Sequence, residues 1–158
     1  MARRRARELA FQALFQAERG GAPLLEAWAE LRLDFAAEDD EPGSPHAERG
    51  DGFEPGDLAF AERLVERLSA RKEAIDGDLE RLIQGWSFGQ MAQTDLNVLR
   101  LALAEMDLAE TPPAVAIEMA VRLAKRFGGE DSGRFVNGVL AKALRRTAVA
   151  GHGVAEEA

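Results

Sequence analysis

The sequence predicts an all-α fold of about seven helices, and three observations carry that prediction. Alanine, leucine, glutamate and arginine dominate, tyrosine is absent and β-branched residues are few, which favours helix over strand. Apolar residues recur at helical spacing through most of the chain. Glycine or proline falls between the periodic stretches, where helices end or begin. A length of 158 residues is enough for one well-cored domain or two small subdomains.

The first helix is expected over residues 3 to 19, with Ala6, Ala10, Ala13, Leu14 and Ala17 in register and Gly20-Gly21 as its stop. A second, from 23 to 33, carries Leu24, Leu25, Trp28 and Leu31. Residues 34 to 56 mix acids with Pro42, Gly43, Pro45, Gly50, Gly52, Pro55 and Gly56. So little apolar surface cannot offset the entropy of ordering, and the segment reads as a flexible acidic loop. Helical pattern resumes at Asp57 and lasts to Ile83, with a break near Ser69 to Lys72, and Gly85 ends it. The helix over 94 to 109, opened by Thr94 or Asp95, is apolar nearly all round and should be the most buried. Pro112-Pro113 resets the chain, and helices over 113 to 127 and 132 to 147 follow. Glu130-Asp131-Ser132 would supply first-turn acids and a cap to the last of them. The expected division is 1 to 85, 86 to 148 as a three-helix subdomain, and a frayed tail from 149 to 158.

The net charge of -8 misleads. Residues 34 to 57 hold nine of the 28 acids and one of the 20 bases, leaving 19 of each elsewhere. The body is therefore neutral, and an acidic total does not argue against an anionic partner. Without cysteine there is no disulfide and no thiol catalysis, which favours a cytoplasmic setting. Arg100 interrupts the best apolar run, so no membrane span is expected, and the basic N-terminus lacks the apolar stretch of a signal peptide. An enzyme finds little support. His46 and His152 fall in the loop and the tail; Gly128, Gly129 and Gly133 lack the lysine and hydroxyl of a phosphate loop; Asp76-Gly77-Asp78 lacks the spacing of a calcium loop. No catalytic residue, cofactor or metal is expected.

Arg3, Arg4, Arg5 and Arg7 form a run with no acid before Glu8. Cations at a helix N-terminus oppose the macrodipole, so an unpaired run there points to an external anion. At about 100° per residue, Arg4, Phe11 and Phe15 align within roughly 40° and lie off the alanine-leucine stripe. The last helix has a core stripe of Val136, Val139, Leu140 and Ala143, with Phe135, Lys142 and Arg146 along one edge. Rings beside cations suit single-stranded nucleic acid, where bases stack and phosphates meet charge. The alternative is that the rings fill a second packing face. Phe11 reads as core, Phe15 fits either role, and Phe135 is assigned to the binding edge. Phe127 either stands out or closes the corner with Phe135. Asn137 and Gly138, polar and small inside a helix, read as positions that admit a neighbouring helix closely or satisfy a buried backbone group.

These residues resemble the NusB family of bacterial transcription antitermination factors. The match is carried by Arg3-Arg4-Arg5-Ala6-Arg7-Glu8 with Ala10 and Gln12-Ala13-Leu14-Phe15, and by Val98-Leu99-Arg100-Leu101-Ala102 with Glu105-Met106. It continues through Pro113, Val115-Ala116-Ile117, Ala120-Val121 and Leu123-Ala124-Lys125. Its most specific part is Phe127-Gly128, Glu130-Asp131-Ser132 and Phe135-Val136-Asn137-Gly138-Val139-Leu140. The resemblance implies an all-α fold in two packed helical-bundle subdomains, pairing with the ribosomal protein NusE, binding of single-stranded boxA RNA in nascent ribosomal transcripts, and action within the RNA polymerase antitermination complex. It implies RNA contacts from Arg3, Arg4, Arg5, Arg7, Phe15, Phe127, Asp131 and Phe135; Lys142 joins them from the helical edge. Asp95 would lie at the NusE interface, and homodimerisation without NusE is an open alternative. The arginines and the rings of the last corner are expected to share one groove.

Two departures stand out. The family often has tyrosine where Phe15 stands, and its Ile-Asn-Glu-Ala run is here Ile117-Glu118-Met119-Ala120. The acidic loop is also unusual, and removing residues 36 to 55 should leave RNA affinity unchanged or raised. The competing reading is a helical protein-interaction adaptor, in which the rings and arginines meet another protein.

Overall fold

The computed structural model describes residues 3–39 and 56–157, with side-chain surroundings for 3–34 and 56–147. Among these are seven α-helices and one short 3-10 turn, and no strand. The helices are α1 (Arg4–Gly20), α2 (Leu24–Asp39), α3 (Asp57–Ala70), α4 (Lys72–Leu82), α5 (Gln93–Leu108), α6 (Pro113–Gly128) and α7 (Glu130–Glu157), with the 3-10 turn at Phe88–Gln90. They form two compact units, Met1–Ala70 and Arg71–Ala158. No described helix is long and apolar enough to cross a membrane.

In the first unit, α1, α2 and α3 each pack on the other two. Leu9, Phe11, Trp28, Phe60, Leu64, Val65 and Leu68 are buried there. Each such side chain contributes roughly 1.5–3 kcal/mol by leaving water. The alanine stripe lets α1 sit close to its neighbours, since Ala6, Ala10 and Ala13 have no exposed surface. Gly21 closes α1 as expected, its N–H donating to the Ala17 carbonyl. The second helix outruns its expected end at residue 33 and continues to Asp39, over an Ala36-Ala37-Glu38 stretch of strong helix formers. Most of the expected acidic loop, with His46, lies outside the described residues.

In the second unit, α5 packs against α4, α6 and α7, and α6 runs along α7. The centre of α5 is buried through Leu96, Asn97, Val98, Leu99, Leu101, Ala102, Ala104 and Glu105. Two of these are polar, and Asn97 accepts a hydrogen bond from Gln93 Nε2 at 3.2 Å. Thr94 and Asp95 lie inside the first turn rather than at its cap, which is Ala92. The boundary between the units falls at Ala70, not at residue 85, because α4 packs on α5 and α7.

The last helix departs furthest from expectation. It begins at Glu130, so Ser132 is not its cap; Ser132 Oγ instead donates back to the Gly128 carbonyl at 3.1 Å. The turn between α6 and α7 rests on Gly129, whose φ of 91° is strained for any residue with a Cβ. The helix also continues to Glu157 through the expected tail, where alanines favour propagation once a helix has formed. The glycine that admits a neighbouring helix is Gly133, where a Cβ would fall 2.5 Å from Lys125 Cγ on α6. Asn137 and Gly138 are exposed, and a Cβ at Gly138 would touch nothing within 4 Å. Their expected packing role is therefore wrong: the face they occupy points away from α6.

Candidate nucleic-acid interface

One set of candidate residues lies in each unit. In the first, the arginine run is paired within the protein, against the expectation that it lacks local acids. Arg3 precedes α1 and its Nη1 lies 3.2 Å from Oδ1 of buried Asp57 at the start of α3. The buried Glu8 takes two partners, Arg5 Nη1 at 3.1 Å and Arg4 Nε at 3.8 Å. Arg7 is only 4% exposed, and its guanidinium sits 5.5 Å above the Phe60 ring. A buried guanidinium over a ring is a packing contact, so Arg7 is a structural residue here and not a surface cation.

Of these arginines Arg4 is the one that reaches solvent most, with its side chain 61% exposed and its nitrogen 3.8 Å from the Glu8 carboxylate. Phe11 is core, as expected. Phe15 is half-buried and meets Phe11 edge to face, with centroids 4.9 Å apart at 66°. Part of its ring is thus committed to packing and part remains at the surface.

In the second unit, the corner between α6 and α7 leaves its aromatic groups outside. Phe127 is 44% exposed, and the Arg126 guanidinium lies 5.4 Å over its ring. Phe135 has the Trp86 ring as a neighbour, with centroids 6.3 Å apart. Asp131 is fully open to solvent in the first turn of α7, 3.5 Å from Arg134. Such an exposed pair holds little energy, and both groups can turn to other partners. Further along α7, Lys142 Nζ donates to the Leu82 carbonyl at the end of α4, at 3.4 Å. Asp95 is half-buried near the start of α5, and its Oδ1 is enclosed without a hydrogen bond among the described residues. No group of side chains suited to a metal ion occurs among the described residues.

Trp86 escaped the sequence reading altogether. It sits in the connection after α4, outside any periodic pattern, and is 59% exposed. A tryptophan directly after Gly85, in a segment with no helical stripe to bury it, was the available signal.

A profile described as the NusB family matches residues 4–145. The transcription antitermination protein NusB of Thermus thermophilus is 47% identical over 146 residues, covering 92% of each chain. The transcription antitermination protein NusB of Deinococcus deserti is 46% identical over 155 residues, 98% of this chain and 88% of that one. A chain from the crystal structure of antitermination factors NusB and NusE in complex with double-stranded RNA superposes with a TM-score of 0.71 at 25% identity, covering 92% of this chain and 97% of that one. Sequence and fold agree over almost the whole chain: it belongs to the NusB family.

Proposed function

We propose that this chain is a transcription antitermination factor that pairs with NusE and binds single-stranded boxA-type RNA in nascent ribosomal transcripts. The observation that carries the reading is the α6–α7 corner, where the exposed Phe127 lies under Arg126 and the half-buried Phe135 sits in the first turns of α7. Half-open rings flanked by cations accept unstacked bases, whereas the stacked bases of a duplex offer them no free face. In the first unit, Arg4 with Arg3 and Arg5 supplies phosphate contacts, and Phe15 offers its exposed edge. Asp95, half-buried near the start of α5, faces NusE. The solved complex of the relatives NusB and NusE with double-stranded RNA supports NusE and RNA as the classes of partner, while the choice of a single strand rests on the rings. The function assigns no catalytic step to the chain, and its place is the cytoplasm with the nascent transcript.

The test is a titration of labelled boxA-type RNA with the chain, alone and with NusE, at several salt concentrations, beside a duplex of the same sequence. The expected result is a preference for the single strand that NusE strengthens. With about four phosphate contacts, log affinity should fall against log salt with a slope of roughly -3. Absence of RNA binding under every condition would leave the adaptor reading in its place. Asp95→Asn should weaken association with NusE while RNA binding by the chain alone stays as it was.

A further inference from the structure

We propose that Trp86 forms a stacking platform with Phe135 for bases of single-stranded RNA, an inference that rests on the RNA reading above. The chain has two tryptophans. Trp28 is 3% exposed in the core of the first unit, while Trp86 is 59% exposed in the second. A ring of that size held in water is unfavourable unless something covers it in the working state.

The ring is presented on a braced turn. The Trp86 N–H donates to the Ile83 carbonyl at 2.9 Å. The following Ser87 N–H donates to Gln90 Oε1 at 3.0 Å, folding the 3-10 turn back on its own start. Arg100 lies 5.4 Å over the Phe88 ring and is itself fixed to Asp76, Nε to Oδ1, at 2.9 Å. With its backbone held on either side, the Trp86 segment loses little backbone freedom when a base stacks on the ring, which favours binding.

Its neighbour gives the platform a second ring. The Trp86 and Phe135 centroids are 6.3 Å apart with planes inclined at 59°, so the rings do not cover one another face to face. Charge selects the occupant. From Ser132 to Thr147, α7 carries Arg134, Lys142, Arg145 and Arg146 and no acid. Lys142 is anchored at the Leu82 carbonyl, a few residues before Trp86. Aromatic faces beside a helix whose middle, after the Glu130-Asp131 start, carries cations and no acid fit a polyanion with flat bases better than an apolar peptide.

Tyrosine is absent, so the emission comes from exposed Trp86 and buried Trp28, and comparison with a Trp86 variant separates the two. BoxA-type RNA should quench the wild-type emission, and Trp86→Phe should remove the quenching while keeping most of the affinity. Trp86→Ala, with its helical content checked by circular dichroism, should bind the RNA roughly 5- to 100-fold more weakly. Labelled-RNA anisotropy on the wild type separates the failures. If the wild type binds RNA without a change in emission and Trp86→Ala binds equally well, the platform is refuted and the RNA reading survives. If Trp86→Ala loses NusE alone, Trp86 is a protein contact and the platform is again refuted. If the wild type binds no RNA, the function proposed above falls, and this inference falls with it.

Discussion

The arginine run before and within α1 and the corner between α6 and α7 carry the same kinds of residue, yet the fold treats them in opposite ways. At the N-terminus, cations that look available in the sequence are taken up by the protein itself: Arg3 by Asp57, Arg4 and Arg5 by Glu8, Arg7 by the Phe60 ring. At the corner, rings that could have been core are left in water, with Phe127 and Trp86 exposed and Phe135 half-exposed. The difference teaches that a count of cations overstates the charge a ligand can use. An exposed ring is the stronger indication, because water disfavours it and packing within the chain has not covered it.

That contrast can be broken by substitution. The largest effect is expected at the corner: Phe135→Ala should weaken RNA binding by about 1–3 kcal/mol, as loss of one stacked base does, with helical content retained in circular dichroism. Unfolding of the variant would return Phe135 to the core and erase the distinction between the regions. Next comes Arg7→Ala, which should lower unfolding stability in urea by about 1–2 kcal/mol through lost cation–ring and stem packing. Its salt slope for RNA should match the wild type; a reduced slope would mean that Arg7 reaches phosphate after all. Arg4→Ala should do the reverse, leaving stability within about 0.5 kcal/mol and making the RNA salt slope shallower by about 0.7.

The smallest effect sharpens the corner itself. Gly138 is exposed in a helix and has room for a Cβ, so Gly138→Ala should stabilise the fold by up to about 1 kcal/mol. If RNA or NusE approaches that face, the same variant will bind more weakly despite being more stable. A gain in stability with binding untouched would confine the binding surface to the edge that carries Phe135.

Much of the architecture was legible in the chain. The stops at Gly21 and Gly129, the break near Ala70 and the proline start of α6 are local backbone effects, and each stands where the pattern put it or within a residue or two. Helix ends without a breaker were less legible. Both α2 and α7 run past their expected ends, because acidic and alanine-rich segments keep helical propensity when their apolar periodicity fades. Among the candidate residues, exposed Phe127 and Asp131 and half-exposed Phe135 are where a ligand could meet them. Arg7 is not, and Trp86 was overlooked.

Helical periodicity and backbone punctuation, both written in adjacent residues, determined that this chain is helical, where its turns fall and which family it belongs to. Partner choice within the fold was decided only in three dimensions. Asp57 meets Arg3 from the start of another helix, Arg7 finds Phe60, and Trp86 finds Phe135 across a long stretch of chain. The physical reason is that a side chain's charge or ring is fixed by its chemistry, whereas its availability depends on which distant group the packing brings within a few ångströms.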